Sequence, residues 1–195
     1  MSEVFSLDPG SAPAARARLL QLLTEKSYAR RKVVLSSGKE SDFYIDCKKV
    51  ALTPEGHWLV GRLLYQLVLE RAPRATGVGG LTMGADPLAS AVSLVSHFGT
   101  RPLPAYLVRK EPKGHGTGQW IEGLSALAPG AEVAVVEDVV TTGASTLKAI
   151  ERVRAEGLQP LGAFALVDRL EGGKEAIEAS GVPVFALFTR ADFPA

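Results

Sequence analysis

The chain has 195 residues, of which 46% are hydrophobic and 22% charged, an ordinary composition for one globular domain. Its formal net charge of +1 and its lack of an apolar run near about 20 residues argue against a nucleic-acid partner and a membrane span. The single cysteine, Cys47, and the absence of a secretory signal pattern at the N-terminus predict a cytoplasmic location.

The first part of the chain predicts a helix followed by a small hood. Residues 14–28 carry leucines at helical spacing. Residues 33–52 are rich in β-branched and aromatic side chains and are broken by Ser-Ser-Gly, which predicts short strands joined by a turn. We therefore expect a single domain, 1–195, in which about 1–52 contribute the helix and hood and about 53–195 form the core.

From residue 53 onward, predicted helices and strands alternate. Thr-Pro opens a helix over residues 53–72. The predicted strands are "ATGVGG", "LPAYLV", "EVAVVED", "LGAFALVD" and "VPVFALFT". The helices between them are "DPLASAVSLVSHF", "ASTLKAIERVRAEG" and "GKEAIEAS". Apolar strands separated by helices are typical of a doubly wound α/β fold, a parallel sheet of about five strands flanked by helices, with ligands at the carboxyl ends of the strands.

The segment "VVEDVVTTGAS", residues 135–145, runs from the end of a predicted strand into a helix. The N–H groups at a helix N-terminus attract an anion, hydroxyl side chains add donors, and glycine lets the backbone approach closely. The hydroxyl and glycine residues of this segment are Thr141, Thr142, Gly143 and Ser145. The pattern predicts a phosphate-binding loop, and the alternative is a buried strand followed by a capped helix.

Two acidic residues, Glu137 and Asp138, lie directly before these phosphate-binding groups. Ionised carboxylates only accept hydrogen bonds, so beside a phosphate they suit vicinal hydroxyls, such as those of a ribose, or magnesium-bound water. The acids and the loop together fit a ribose 5-phosphate.

A second segment, "RKEPKGHGTG" at residues 109–118, is rich in glycine and positive charge. Its potential cations are Arg109, Lys110, Lys113 and His115. A loop of this kind can close over a polyphosphate, neutralise it and exclude water, whereas the alternative is a solvated basic loop.

Both segments resemble motifs of one family. Val133 to Ser145 fits without a gap the phosphoribosyl-diphosphate signature of the type I phosphoribosyltransferases, and Arg-Lys-x-x-Lys-x-His-Gly resembles the catalytic loop of orotate phosphoribosyltransferases. The resemblance implies transfer of ribose 5-phosphate from phosphoribosyl diphosphate to orotate, in pyrimidine (UMP) synthesis. It also implies a homodimer that shares this loop between subunits, and Mg²⁺ held through the diphosphate and the ribose hydroxyls without a direct protein ligand.

The resemblance assigns roles to individual residues. The phosphoribosyl-diphosphate site would comprise Arg109, Lys110, Lys113, His115, Glu137, Asp138, Val139, Val140, Thr141, Thr142, Gly143, Ala144 and Ser145. The catalytic residues among them would be Lys113, His115, Arg109 and Asp138. The segment "VGGLTMGADPLA" resembles the pyrophosphate loop, mapped to Leu81, Thr82, Met83 and Gly84, with a plain strand-to-helix turn as the alternative. Orotate would be bound by Thr141, Arg169, Tyr44 and Ile45. The alternative for Tyr44 and Ile45 is packing within the hood, and the alternative for Arg169 is a surface arginine at the end of a strand.

One position departs from the family pattern. Ser36 lies where some members carry a lysine, so no catalytic cation is assigned there. Two other functions stay open. A phosphoribosyltransferase for a purine or uracil would keep the acidic motif with less need of the basic loop and Arg169. A non-catalytic regulator that senses phosphoribosyl diphosphate would normally add a nucleic-acid-binding module or basic surface.

Overall fold

The computed structural model describes residues 11–34, 40–112 and 119–194, which form two sheets with helices packed against them. The helices are α1 (Ala12–Lys26), α2 (Lys48–Ala51), α3 (Pro54–Arg71), α4 (Asp86–His97), α5 (Ala144–Ala155) and α6 (Gly173–Glu178). The strands are β1 (Tyr28–Val34), β2 (Glu40–Ile45), β3 (Val78–Leu81), β4 (Ala105–Val108), β5 (Ile121–Glu122), β6 (Glu132–Val140), β7 (Gln159–Asp168) and β8 (Val184–Thr189). Short 3-10 turns cover Leu124–Ala126 and Arg190–Asp192.

The larger sheet has six strands in the order β5-β4-β3-β6-β7-β8. In this order, β4, β3, β6, β7 and β8 pair in parallel with their neighbours. The two-residue β5 pairs antiparallel with β4. The predicted doubly wound parallel sheet of about five strands is therefore confirmed. Strand β5 is an addition, because it lies in a segment that the sequence predicts to be a loop.

Hydrophobic side chains cover both faces of this sheet, which explains why its strands are apolar throughout. Successive residues of β6 point to opposite faces, so Val136 packs on one side with Leu64 of α3 and Val135 on the other with Ile150 of α5. Helices α1, α3 and α4 contribute to the first core, and α5 and α6 to the second. The helices thus form a layer on each side of the sheet.

The N-terminal hood is the antiparallel hairpin of β1 and β2. Its aromatic residues Tyr28 and Phe43 contact Phe193 near the C-terminus, with ring centroids 5.6 and 5.5 Å apart. The hood reaches the main sheet where the Arg169 Nη2 donates to the Phe43 carbonyl at 2.7 Å. These contacts hold the hood beside the carboxyl end of β7. The predicted division of the chain at about residue 52 stays a prediction.

None of the helices in the described ranges is long and apolar enough to cross a membrane.

Candidate active site

Three predicted site segments meet at one edge of the main sheet. Strands β3, β6 and β7 run in parallel, so their carboxyl ends lie together at that edge. The Arg169 amide donates to the Val140 carbonyl at 3.0 Å, which joins the ends of β6 and β7. Gly84 lies so close to Asp138 that a Cβ at Gly84 would be 2.5 Å from the Asp138 Oδ1. The sheet topology therefore gathers the pyrophosphate loop, the acidic pair and Arg169.

The phosphate loop encloses a small cavity of about 120 Å³ between β6 and α5. Gly143 is the N-cap of α5 with φ of 79°, a left-handed conformation that favours glycine. A Cβ there would also lie 2.8 Å from the Gly173 carbonyl oxygen. Because glycine has no side chain to cap the helix, the N–H groups of its first turn are available to an anion. The residues that line the cavity are Glu137, Val139, Val140, Thr141, Thr142, Gly143, Ala144, Ser145 and Thr146.

The first acid of the pair, Glu137, is buried and only 6% exposed. The Thr146 hydroxyl donates to the Glu137 Oε2 at 3.0 Å. Burial, followed by the negative charge of Asp138, raises the pKa of Glu137 to about 8, although the Thr146 hydrogen bond opposes the change. The raised pKa favours the protonated form of Glu137 at neutral pH.

The second acid, Asp138, has a different environment. Its side chain is 14% exposed, and its Oδ2 lies 3.5 Å from the Lys48 Nζ. The Val139 amide donates to its Oδ1 at 2.9 Å. The sequence-based prediction places both acids at the ribose and counts only Asp138 as catalytic. In the structure, Glu137 is buried and bonded to Thr146, whereas Asp138 is partly exposed and paired with Lys48.

The predicted pyrophosphate loop follows β3 and turns into α4. The Thr82 amide donates to the Val108 carbonyl at 2.8 Å, and the Thr82 hydroxyl donates to the Asp86 Oδ2 at 2.6 Å. Leu81 is buried, whereas Met83 is 68% exposed. The peptide bond between Thr82 and Met83 is cis. The loop is thus fixed at Thr82 and presents its backbone beside Asp138 at Gly84.

Only the stem of the basic loop lies within the described residues, and Lys113 and His115 lie outside them. The Arg109 guanidinium donates to the Glu122 Oε1 at 3.2 Å and to the Glu111 carbonyl at 3.3 Å. Lys110 is exposed, and its carbonyl accepts a hydrogen bond from the Lys148 Nζ of α5 at 3.1 Å. Neither Arg109 nor Lys110 lines the phosphate cavity.

The residues predicted for orotate are only partly gathered. Arg169 is 7% exposed, bonds the Phe43 carbonyl and pairs with Glu171 at 3.0 Å, so it lies against the strand that carries Tyr44. Tyr44 is half-buried, whereas Ile45 belongs to the hydrophobic core. The Ile45 side chain therefore packs inside, and a contact with orotate would use its backbone.

Two residues of the site are missing from the sequence predictions. Thr146 donates a hydrogen bond to Glu137. Its position in the first helical turn after the phosphate motif could have indicated that it belongs to the site. Lys48 is 90 residues from Asp138 along the chain, and no local pattern links the two.

A scan against models of protein families finds no match for this chain. Curated relatives do match over nearly its whole length. An orotate phosphoribosyltransferase from Sorangium cellulosum is 56% identical over 178 residues, which cover 91% of this chain and 92% of the relative. An orotate phosphoribosyltransferase from Aquifex aeolicus is 50% identical over 172 residues, 88% of this chain and 92% of the relative.

Solved structures agree with these relatives. The Mycobacterium tuberculosis orotate phosphoribosyltransferase in complex with Fe(III) dicitrate matches with a TM-score of 0.78 and 40% identity over 91% of this chain and 98% of that one. The same enzyme in complex with 5-phospho-alpha-D-ribosyl 1-diphosphate matches with a TM-score of 0.74 and 38% identity, again over 91% and 98% of the two chains. With relatives of this identity over most of its length, the chain belongs to the orotate phosphoribosyltransferase family.

Proposed function

We propose that this chain transfers ribose 5-phosphate from phosphoribosyl diphosphate to orotate, which yields orotidine 5′-monophosphate and pyrophosphate. The observation that carries the proposal is the position of the acidic pair, with the phosphate cavity on one side and Gly84 of the pyrophosphate loop on the other. Phosphoribosyl diphosphate has a phosphate at one end of its ribose and a diphosphate at the other. The order of its groups thus matches the order of these binding elements.

The reaction breaks the bond between ribose C1 and the diphosphate oxygen and forms a bond from C1 to a ring nitrogen of orotate, which releases its proton to solvent. The electron pair of the broken bond leaves with pyrophosphate, and the ribosyl group becomes electron-poor in the transition state. Because the orotate nitrogen is the nucleophile, no covalent enzyme intermediate is needed. The main demand on the protein is to stabilise negative charge on the leaving diphosphate and positive charge on the ribosyl group.

The two acids have separate roles in this proposal. Asp138 accepts hydrogen bonds from ribose hydroxyls and faces the developing positive charge, since it is the accessible carboxylate of the pair. Because burial raises its pKa, Glu137 adds less negative charge than Asp138 next to the arriving diphosphate. The first turn of α5 and the hydroxyls around it bind the 5-phosphate.

The leaving diphosphate is stabilised by Arg109, Lys110, Lys113 and His115, together with the backbone of the pyrophosphate loop. Within the described ranges, no group of three or more His, Cys, Asp or Glu side chains could hold a metal ion. We propose, from the resemblance to the family, that Mg²⁺ would be held through the diphosphate and the ribose hydroxyls, where Asp138 would offer a carboxylate oxygen as an acceptor. When bound, the ion supplies positive charge to the leaving group.

Orotate occupies the space between the hood and the end of β7. Arg169 is suited to an anionic base because its planar guanidinium can bind a carboxylate through two donors. Its bond to the Phe43 carbonyl orients it beside the backbone of Tyr44 and Ile45. Thr141, half-buried at the edge of the phosphate cavity, completes this set.

The enzyme acts as a homodimer that shares the basic loop between subunits. An exposed apolar surface at the C-terminal end of α4 supports this assembly, since Leu94 of the helix is 58% exposed and Phe98, directly after it, is 65% exposed. Leu94 lines a groove of about 620 Å³ that also includes Leu107 and Glu122, the partner of Arg109 in the loop stem. The cytoplasmic location stays a prediction.

The test measures the loss of orotate absorbance in the presence of phosphoribosyl diphosphate and Mg²⁺. Control reactions contain uracil, hypoxanthine or adenine in place of orotate. We expect turnover of orotate and of none of the other bases. Lys113→Ala should abolish most of it, whereas Lys26→Ala, at the exposed end of α1, should not. Turnover of another base in place of orotate would leave the phosphate site intact and refute the specificity. Binding of phosphoribosyl diphosphate without turnover of any base would favour a sensor.

A further inference from the structure

Lys48 occupies a position between two acids of the site. It is the first residue of α2, directly after the hood strand β2. Its Nζ lies 3.0 Å from the Asp46 Oδ1 and 3.5 Å from the Asp138 Oδ2. The lysine therefore connects the hood to the accessible carboxylate of the acidic pair.

The backbone around Lys48 is held firmly. The Asp46 amide donates to the Ser27 carbonyl at 3.1 Å, and the Lys48 amide lies 3.3 Å from the Asp46 Oδ1. Cys47 is fully buried, and its thiol lies 3.8 Å from the Asp138 carbonyl oxygen. These contacts place the start of α2 directly against the backbone of Asp138.

The surroundings of Lys48 favour its positively charged form. Partial burial lowers the pKa of Lys48, but the hydrogen bonds and negative charges of Asp46 and Asp138 outweigh burial and raise it above its ordinary value. The ammonium is therefore present at neutral pH next to Asp138. Glu137 has the Thr146 hydroxyl as its partner instead.

We propose that Lys48 is a positioning residue, which fixes the orientation of the Asp138 carboxylate for the ribose hydroxyls. This inference rests on the proposed function, because it concerns the same phosphoribosyl-diphosphate site. Lys48 acts through Asp138 and not on the reacting atoms. Its removal should therefore weaken binding of phosphoribosyl diphosphate much more than binding of orotate.

The first test compares three variants. Lys48→Met removes the charge while keeping an unbranched side chain, Lys48→Arg keeps the charge, and Lys49→Met alters the exposed neighbour as a matched control. We expect Lys48→Met to raise the Kd and KM for phosphoribosyl diphosphate about tenfold, as for loss of a charged hydrogen bond, with the KM for orotate changed less than about twofold. Lys48→Arg should recover most of the affinity, and Lys49→Met should match the wild type.

The second test combines Lys48→Met with Asp138→Asn and measures binding of phosphoribosyl diphosphate by calorimetry. If Lys48 acts through Asp138, Lys48→Met should cause no further loss in the Asp138→Asn background. An additive loss would overturn the proposal, and so would an unchanged Kd in Lys48→Met. Equal losses in Lys48→Arg and Lys48→Met together with a lower melting temperature would indicate a purely structural role and would also overturn it.

These binding measurements separate the inference from the proposed reaction. The wild-type protein could turn over a base other than orotate, in which case the proposed function fails. The comparison of Kd values for phosphoribosyl diphosphate would still decide the role of Lys48.

Discussion

The proposed phosphate end and the proposed orotate end of the site are built in different ways. The phosphate end is one continuous stretch, residues 137–146, in which backbone atoms at the turn from β6 into α5 enclose the cavity. The orotate end joins distant parts of the chain, since Arg169 bonds the carbonyl of Phe43, 126 residues away. The first end therefore depends on local backbone conformation, whereas the second depends on a buried arginine at the end of β7 and its contact with the hood.

Asp138→Asn should have the largest effect, because it removes the accessible negative charge between the two ends. We expect kcat/KM to fall about 10³-fold, as for loss of one preorganised electrostatic contact in an active site. Steady-state kinetics with orotate would measure the loss, and Glu156→Gln, an exposed carboxylate after α5, provides the control. A fall of less than tenfold would show that Asp138 does not face the reacting ribose.

Glu137→Gln should change how stability depends on pH. The pKa of Glu137 in the folded protein, about 8, lies above its ordinary value of 4.5, so its protonated form stabilises the fold fully below 4.5. That stabilisation is lost as the pH rises through about 8, at a cost on the order of 5 kcal/mol in the free energy of unfolding. The variant, which cannot ionise, should lose less stability across this range.

Urea unfolding at several pH values between 4.5 and 8 would test this expectation. The exposed Glu151→Gln on α5 should follow the wild type. Parallel curves of unfolding free energy against pH for Glu137→Gln and the wild type would show that Glu137 is ionised in the folded protein. This result would contradict the raised pKa of Glu137.

Arg169→Lys should separate the two ends of the site. Lysine keeps the charge but cannot reproduce the planar donor pair, so we expect the KM for orotate to rise about tenfold. The Kd for phosphoribosyl diphosphate should stay within about twofold if the phosphate end is independent. Arg190→Lys, which alters the partner of Asp42 in the hood, is the matched control. Equal losses for both substrates would mean that the two ends are coupled.

Lys148→Met should have the smallest effect. It removes the hydrogen bond from α5 to the Lys110 carbonyl in the stem of the basic loop. Because this contact is exposed, we expect only about a threefold rise in the KM for phosphoribosyl diphosphate. The exposed Lys26→Met gives the baseline. No difference between the two variants would show that α5 does not support the loop.

The sequence predicts the main sheet well because its strands and helices are regular and strongly patterned. The sequence does not predict the short elements. Strand β5 has two residues in a segment rich in glycine and charge, and it forms only because the edge of β4 is available. Helix α2 has four residues and no side-chain cap, so nothing local distinguishes it from the end of a strand.

The same distinction holds for the site. The phosphate loop could be predicted because it is contiguous, so spacing alone carries the chemistry. The contact between Lys48 and Asp138 could not, because sheet topology brings the two residues together. The raised pKa of Glu137 depends on burial, and the identities of two adjacent acidic residues do not reveal which of them is buried.

The close approach of Gly84 to Asp138 predicts an unusual pattern of mutational tolerance. The atoms that a new Cβ would meet belong to the Asp138 carboxylate, which can rotate aside, so Gly84→Ala should fold while its acid is misdirected. A saturation screen scored by cellular abundance should therefore accept alanine at position 84, and the same screen scored by growth without pyrimidines should reject it. The exposed neighbour Met83 should accept many residues in both screens.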